Sequence, residues 1–316
     1  MKGCEGMIYS VTLNPSIDYI VKLDNFTEGE LNRSKGEYTN AGGKGIMVSK
    51  LLSNLGIDNI ALGFLGGYTG QYIKDWFNQE GLREDFTRVD GNTRINVKLK
   101  SMSDSGQIIE SEINGRGPEI SASEQDDFLN KIRKLNSEDT LIISGSSSPG
   151  LDKDIVDQMI NICKDRGSDF VVDTTGGALM EAMRQRPLLV KPNTVELAQL
   201  FSVELETRDD IVKYGKKCLE IGAQYAIVSM GGDGAMFFDK DKVYYSPVVK
   251  GQLVNSVGAG DSMIAGFVGA IKSGRSPIDS FRYSVATGTA TAFCEDIGKK
   301  EEVDNILSRV VVEEYI

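Results

Sequence analysis

The chain has no histidine among its 316 residues. That single absence excludes Ser-His-Asp and Cys-His nucleophilic catalysis, imidazole general bases and histidine-ligated metals. Its four cysteines, Cys4, Cys163, Cys218 and Cys294, are scattered and form no C-x-x-C pair. Zinc binding and dithiol redox chemistry are therefore not expected, and a reduced, cytoplasmic setting is. No apolar run reaches the ~18 residues of a membrane span, and the start, M-K-G-C-E-G-M, lacks the long apolar segment of a secretion signal. Positive charge is short as well, with 35 Lys+Arg against 46 Asp+Glu and a formal net charge of −11. Such a surface repels nucleic acid and anionic membrane, so neither is an expected partner, and an anionic substrate needs a local basic pocket. Acid–base chemistry is left to Asp, Glu, Lys, Tyr or Cys.

What is present is an alternation of short β-rich runs and helical ones. Met7–Leu13, Ile60–Leu65, Leu141–Ser144, Phe170–Asp173, Leu188–Val190 and Ala226–Ser229 read as strands. Gly45–Leu55, Gln71–Gln79, Lys153–Arg166, Asp209–Ile221 and Asp261–Lys272 read as helices. This rhythm predicts an α/β fold with a mostly parallel sheet flanked by helices. Two segments, about 19–39 and 94–113, break it with period-2 alternation and no helix between, clearest in R-I-N-V-K-L-K; a turn is expected at Asp104–Gly106. They predict a small antiparallel sheet, a lid or oligomer contact, with an edge extension of the main sheet as the alternative. No repeat or linker divides the chain, so residues 1–316 are expected to form one domain.

Several small-residue turns precede helices. In S-V-G-A-G-D-S, Gly258 and Gly260 let a ligand approach the backbone. Backbone N–H groups at the start of the following helix suit an anion, and Asp261 there can take a proton from an attacking hydroxyl. The plainer alternative is that Asp261 caps its helix. A-G-G-K-G, Ala41–Gly45, is not a P-loop, because no glycine lies at the required upstream position. Its Lys44 can nonetheless bind a phosphate or sugar oxygen, or simply be an exposed lysine in a tight turn. Gly63–Gly70 lacks dinucleotide-loop spacing. S-M-G-G-D-G, Ser229–Gly234, follows a strand and either lines a ligand crevice or makes a hairpin turn. In K-P-N-T-V-E-L, Glu196 either organises Mg²⁺ through water or serves the first turn of its helix. Arg33 and Arg94 stand near the lid, as phosphate clamps or as solvated charges.

Taken in order, L-N-P-S-I-D, A-G-G-K-G, G-F-L-G-G, G-N-T-R-I-N-V-K-L, S-G-S-S-S-P-G, K-P-N-T-V-E-L, S-M-G-G-D-G and V-G-A-G-D-S resemble the ribokinase-like sugar kinases of the phosphofructokinase-B group, across nearly the whole chain. The resemblance implies a Rossmann-like sheet and a β lid that dimerises. It implies ATP and Mg²⁺ as cofactors, with a monovalent cation as a further candidate. Asp261 would be the proton acceptor and Gly258, Ala259 and Gly260 the anion hole. Asp18, Gly42 and Gly43 would line the sugar site, and Lys44, Arg94 and Arg33 would bind the sugar's existing phosphate. Lys191, Asn193, Ser229, Met230, Gly231, Gly232, Asp233, Gly234 and Gly260 would meet ATP, and Glu196 would order Mg²⁺. The implied reaction is phosphorylation of fructose 1-phosphate at its 6-hydroxyl. Tagatose 6-phosphate and fructose 6-phosphate are the alternative substrates, and a non-catalytic sugar-phosphate-binding regulator is the alternative role. Two positions depart from the family pattern: Met47 stands where an asparagine is usual, and Ser147 where a leucine is usual.

Overall fold

The computed structural model describes residues 6–102 and 108–316. The expected turn at Asp104–Gly106 lies outside them. Strand β1 (Ile8–Thr12) leads into β2 (Ser16–Lys22) and β3 (Gly36–Gly42), then helix α1 (Lys44–Asn54), β4 (Asn59–Gly66), α2 (Gly67–Gln79) and β5 (Thr87–Val89). Next come β6 (Arg94–Met102), β7 (Ile108–Asn114), α3 (Ala122–Ile132), β8 (Thr140–Ser144), α4 (Ile155–Arg166), β9 (Asp169–Asp173), α5 (Gly176–Arg184), β10 (Leu189–Val190), α6 (Thr194–Phe201) and α7 (Arg208–Ile221). The chain continues through β11 (Tyr225–Ser229), β12 (Ala235–Phe238), β13 (Val243–Ser246), α8 (Ala259–Lys272), α9 (Pro277–Ala292), α10 (Lys300–Leu307) and β14 (Glu313–Glu314).

Ten strands form the main sheet, in the order β14-β13-β12-β11-β10-β9-β8-β1-β4-β5. From β5 to β11 every neighbour is parallel, and the β12–β14 edge is antiparallel. The central strands are apolar without alternation because helices cover both faces: all five residues of β8 are buried. On one face α1, α8, α9 and α10 close a cluster that includes Leu51, Phe237, Phe267 and Phe281. On the other, α3 and α4 close a second around Phe64, Phe128 and Met159, while α5, α6 and α7 pack by β10–β12.

The remaining four strands make a separate sheet, β3-β2-β6-β7, so the lid is no edge extension of the main one. Its outer pairs are antiparallel, but the central pair, β2 with β6, is parallel. The expected wholly antiparallel lid is corrected on that point: β2 and β6 both leave the carboxyl edge of the main sheet, so they run in the same direction. The strands also begin closer to the main sheet than the 19–39 segment suggested.

Glycine permits the close approach of β1 and β4 at the carboxyl edge of the main sheet. Gly63 in β4 has φ +148, and a Cβ there would overlap the Thr12 carbonyl oxygen of β1. Gly63→Ala is expected to destabilise the protein by about 3 kcal/mol, from overpacking together with backbone strain. Urea unfolding measures it, and a loss under 1 kcal/mol (~a quarter to a half of one ordinary core truncation) would contradict this account.

Candidate active site

Ligands of open α/β sheets bind beyond the carboxyl ends of the strands. Here that edge carries the chemistry. Asp173 ends β9, Lys191 follows β10, and Ser229 ends β11. Asn193 forms a bridge with Ser229, and the Ser229 N–H donates to the Pro192 carbonyl at 3.1 Å. These contacts set the turn Gly231–Asp233, whose residues are exposed, beside the Lys191–Asn193 segment. Met230 is buried in the adjoining cluster instead of facing the edge.

Helices α3, α6 and α7 all begin with capping boxes, whereas α1 and α8 begin on Gly43 and Gly258 with no capping side chain. Gly258 adopts φ +80. The N–H groups of Gly260 and Asp261 find no acceptor among the described residues. An uncapped helix start of this kind favours an anion. Asp261 does not cap its helix, which disposes of the plainer reading. The first turn of α8 is fixed from α9 instead: Thr287 Oγ1 donates to the Ser262 carbonyl at 2.8 Å, and the Ser262 and Thr291 hydroxyls are 2.8 Å apart. Gly266 and Gly288 permit this approach, since a Cβ at either would overlap Thr287 or press on Met263.

The charges converge on one point. Lys44 Nζ bonds Asp173 Oδ2 at 2.8 Å, and the Asp173 side chain is only 13% exposed. Burial, with the Asp173 carboxylate beside it, pushes the Asp261 carboxyl up to about 7, against the pull of Lys44 and Lys191. Burial disfavours the Lys44 charge, yet Asp173, Asp261 and Glu196 together hold its pKa above the ordinary lysine value. Lys191 lies over the first turn of α8: a Cβ on Gly260 would be 3.1 Å from its Nζ. Glu196 Oε2 accepts from the Asn193 N–H at 2.9 Å, so one of its oxygens serves the helix cap. Among the described residues no group of three acidic or thiol side chains is arranged to cage a metal.

A second cluster lies on the lid. Asp18 Oδ1 accepts from Ser16 Oγ at 2.7 Å and from Asn96 Nδ2 at 3.0 Å, while Lys98 Nζ is 3.1 Å from Oδ2. Gly42 lies against this carboxylate, where a Cβ would overlap Asp18 and Ser16. Arg94 donates from Nε and Nη2 to the Asn14 carbonyl and from Nη1 to that of Gly115, and burial lowers its pKa although Asp18 opposes this. Arg33 is exposed in the β2–β3 connection, and among the described residues nothing ties it to either cluster. Met47 packs on the hydrophobic clusters around α1. Asp173 and Lys98 escaped the sequence reading. A period-2 reading of R-I-N-V-K was the available signal for Lys98.

The profile of the pfkB family carbohydrate kinases matches residues 11–302. The chain belongs to this family. It is 45% identical to a 1-phosphofructokinase of Bacillus subtilis, over 97% of this chain and 99% of that one. It is 34% identical to a D-tagatose-1-phosphate kinase of Bacillus licheniformis, over the same shares of each, 97% and 99%. A putative phosphofructokinase from Staphylococcus aureus superposes with a TM-score of 0.87 at 40% identity, covering 98% of this chain and 99% of that one. PfkB membership accounts for the main sheet, the lid and the order of the glycine turns together. No helix among the described residues is long and apolar enough to cross a membrane.

Because Asp173 raises the Asp261 pKa, Asp173→Asn should lower it from about 7. Carboxyl ¹³C NMR of Asp261 reads this directly, and an unchanged or higher midpoint would count against the coupling. The folded state holds this proton more tightly than the unfolded chain, so the contribution to stability is greatest at low pH and is lost as pH rises through about 7.

Proposed function

We propose that this carbohydrate kinase transfers the terminal phosphoryl group of ATP to the 6-hydroxyl of fructose 1-phosphate. The observation that carries the reading is Asp261, a half-buried carboxyl in the first turn of an uncapped helix, within electrostatic reach of Lys44 and Lys191. A carboxyl with a pKa near the working pH is suited to accept the proton of an attacking alcohol. The Gly260 and Asp261 N–H groups would take charge developing on the transferred phosphoryl group. Lys44 would bind phosphate oxygen on one side and Lys191 on the other. Asp18, oriented by Ser16 and Asn96, would hold sugar hydroxyls, with Gly42 and Gly43 beneath. Ser229, Gly231, Gly232, Asp233, Gly234 and Asn193 would border the nucleotide. Arg94 retains two of its five N–H groups for a ligand.

The acidic residues near Lys44 fit a hydrated Mg²⁺ carried in on the nucleotide, since Glu196 keeps one oxygen outside its helix cap and no protein cage is built. When bound, the ion would neutralise phosphate charge.

Likeness to the B. subtilis enzyme over nearly the full length supports fructose 1-phosphate, and the B. licheniformis relative makes tagatose 1-phosphate the nearest competitor. An ADP-release assay over a panel of hexose phosphates decides: fructose 1-phosphate should give the highest kcat/KM, and preference for any other sugar would sink the assignment. Asp261→Asn should bind both substrates by calorimetry yet lose roughly 10²–10⁴-fold in kcat. A near-normal kcat would remove Asp261 as the base.

We also infer a homodimer closed through the lid. Ile95, Ile109 and Ile113 stand exposed on the lid face opposite Arg94, Asn96 and Lys98. Ile113→Lys should shift sedimentation from dimer to monomer, and a wild type that sediments as a monomer would end the idea.

A further inference from the structure

Arg94, Asn96 and Lys98 alternate along β6, so their side chains share one face of the lid. In the parallel register Ser16 lies opposite Arg94, and Asp18 opposite Asn96. This face therefore gathers its polar groups around Asp18. The Asp18 and Lys98 side chains are each 17% exposed, which makes this the most enclosed ion pair of the lid.

The other cations assigned to the sugar's existing phosphate have other attachments. Arg94 directs three N–H groups to the Asn14 and Gly115 carbonyls and so holds the base of the lid. Lys44 is bonded to Asp173, on the side of Asp261. Arg33 is solvated. The Lys98 ammonium has three N–H groups, and Asp18 takes one. Its second acidic neighbour, Glu112, is 3.8 Å away and 44% exposed. That separation is beyond hydrogen-bond length, and a wet pair of this kind is weak. A phosphate dianion offers three strong acceptors and would displace it.

We propose that Lys98 is a specificity-determining residue, its ammonium bridging Asp18 and the phosphate that the hexose substrate already carries. The proposal rests on the reading of the chain as a hexose-phosphate kinase and adds to it the group that distinguishes a phosphorylated sugar from a free one. The geometry suits this class of ligand. A ketohexose monophosphate carries a free hydroxyl on a carbon two bonds from the one bearing phosphate, so neighbouring Asp and Lys side chains can engage both.

The experiment compares kcat/KM for fructose 1-phosphate and for fructose in the wild type, Lys98→Met and Lys98→Arg. Lys98→Met should lose roughly 10–100-fold on the phosphate ester, mainly through KM, as expected for a lost charged hydrogen bond. Fructose should lose clearly less, the part that reports the weakened pairing with Asp18, so the preference for the ester falls, and Lys98→Arg should restore most of it. Isothermal titration of each sugar supplies the same ratio where turnover of fructose is too slow to measure. Equal losses on both sugars would mean that Lys98 only orients Asp18 and would overturn the proposal, as would an unchanged ratio. A wild type that phosphorylates no hexose phosphate overturns the underlying reading itself. Wild-type turnover of the ester with a ratio unaffected in Lys98→Met overturns this inference alone.

Discussion

The site depends on how α9 grips the first turn of α8. A half-buried aspartate in the first turn of α8, next to another carboxylate, is held against its own solvation preference. It stays there because Thr287 and Thr291 bond the backbone and side chain of Ser262, one residue further on, and because glycines let the two helices approach. The helix start is left without a capping side chain, and the Gly260 and Asp261 N–H groups have no acceptor among the described residues. Packing thus does two things at once: it raises the proton affinity of Asp261 and leaves unpaired N–H groups beside it.

Electrostatics then divides the molecule into two working regions. At the sheet edge, Asp173 draws Lys44 toward Asp261. On the lid, Ser16, Asn96 and Lys98 fix the two oxygens of Asp18. Both lie in a chain with a net charge of −11, and each keeps its lysine beside acidic partners. An overall charge of that sign repels anions, so any attraction for one has to be local, at these lysines.

Much of this was legible in the residues. The alternation of β-rich and helical runs gave the parallel sheet, because strands covered on both faces are apolar throughout and helices keep a 3.6 period. Glycine turns gave the start of α8 to within two residues. Other features were not legible, for physical reasons. Helix α2 begins at Gly67, before the expected Gln71, since its first turn is Gly-Tyr-Thr-Gly, poor in helix formers, and tertiary packing overrides that local preference. Asp173 ends a strand with nothing nearby in sequence to mark it; only register beside β8 and β10 brings it to Lys44. Lys98 was overlooked because an alternating strand reads equally as a solvated edge. Met47, which stands where the family pattern has an asparagine, packs against the clusters around α1.

The parallel junction at the centre of the lid has a bearing on how the chain assembles. Each outer pair is a local hairpin, able to form early by itself. Their union, β2 against β6, joins segments separated by α1, β4, α2 and β5. Closing that seam brings together segments far apart in sequence, which makes it a high-contact-order step expected late in folding. The lid is thus no detachable module: cutting it out as one continuous piece would carry away the first helix of the site with it.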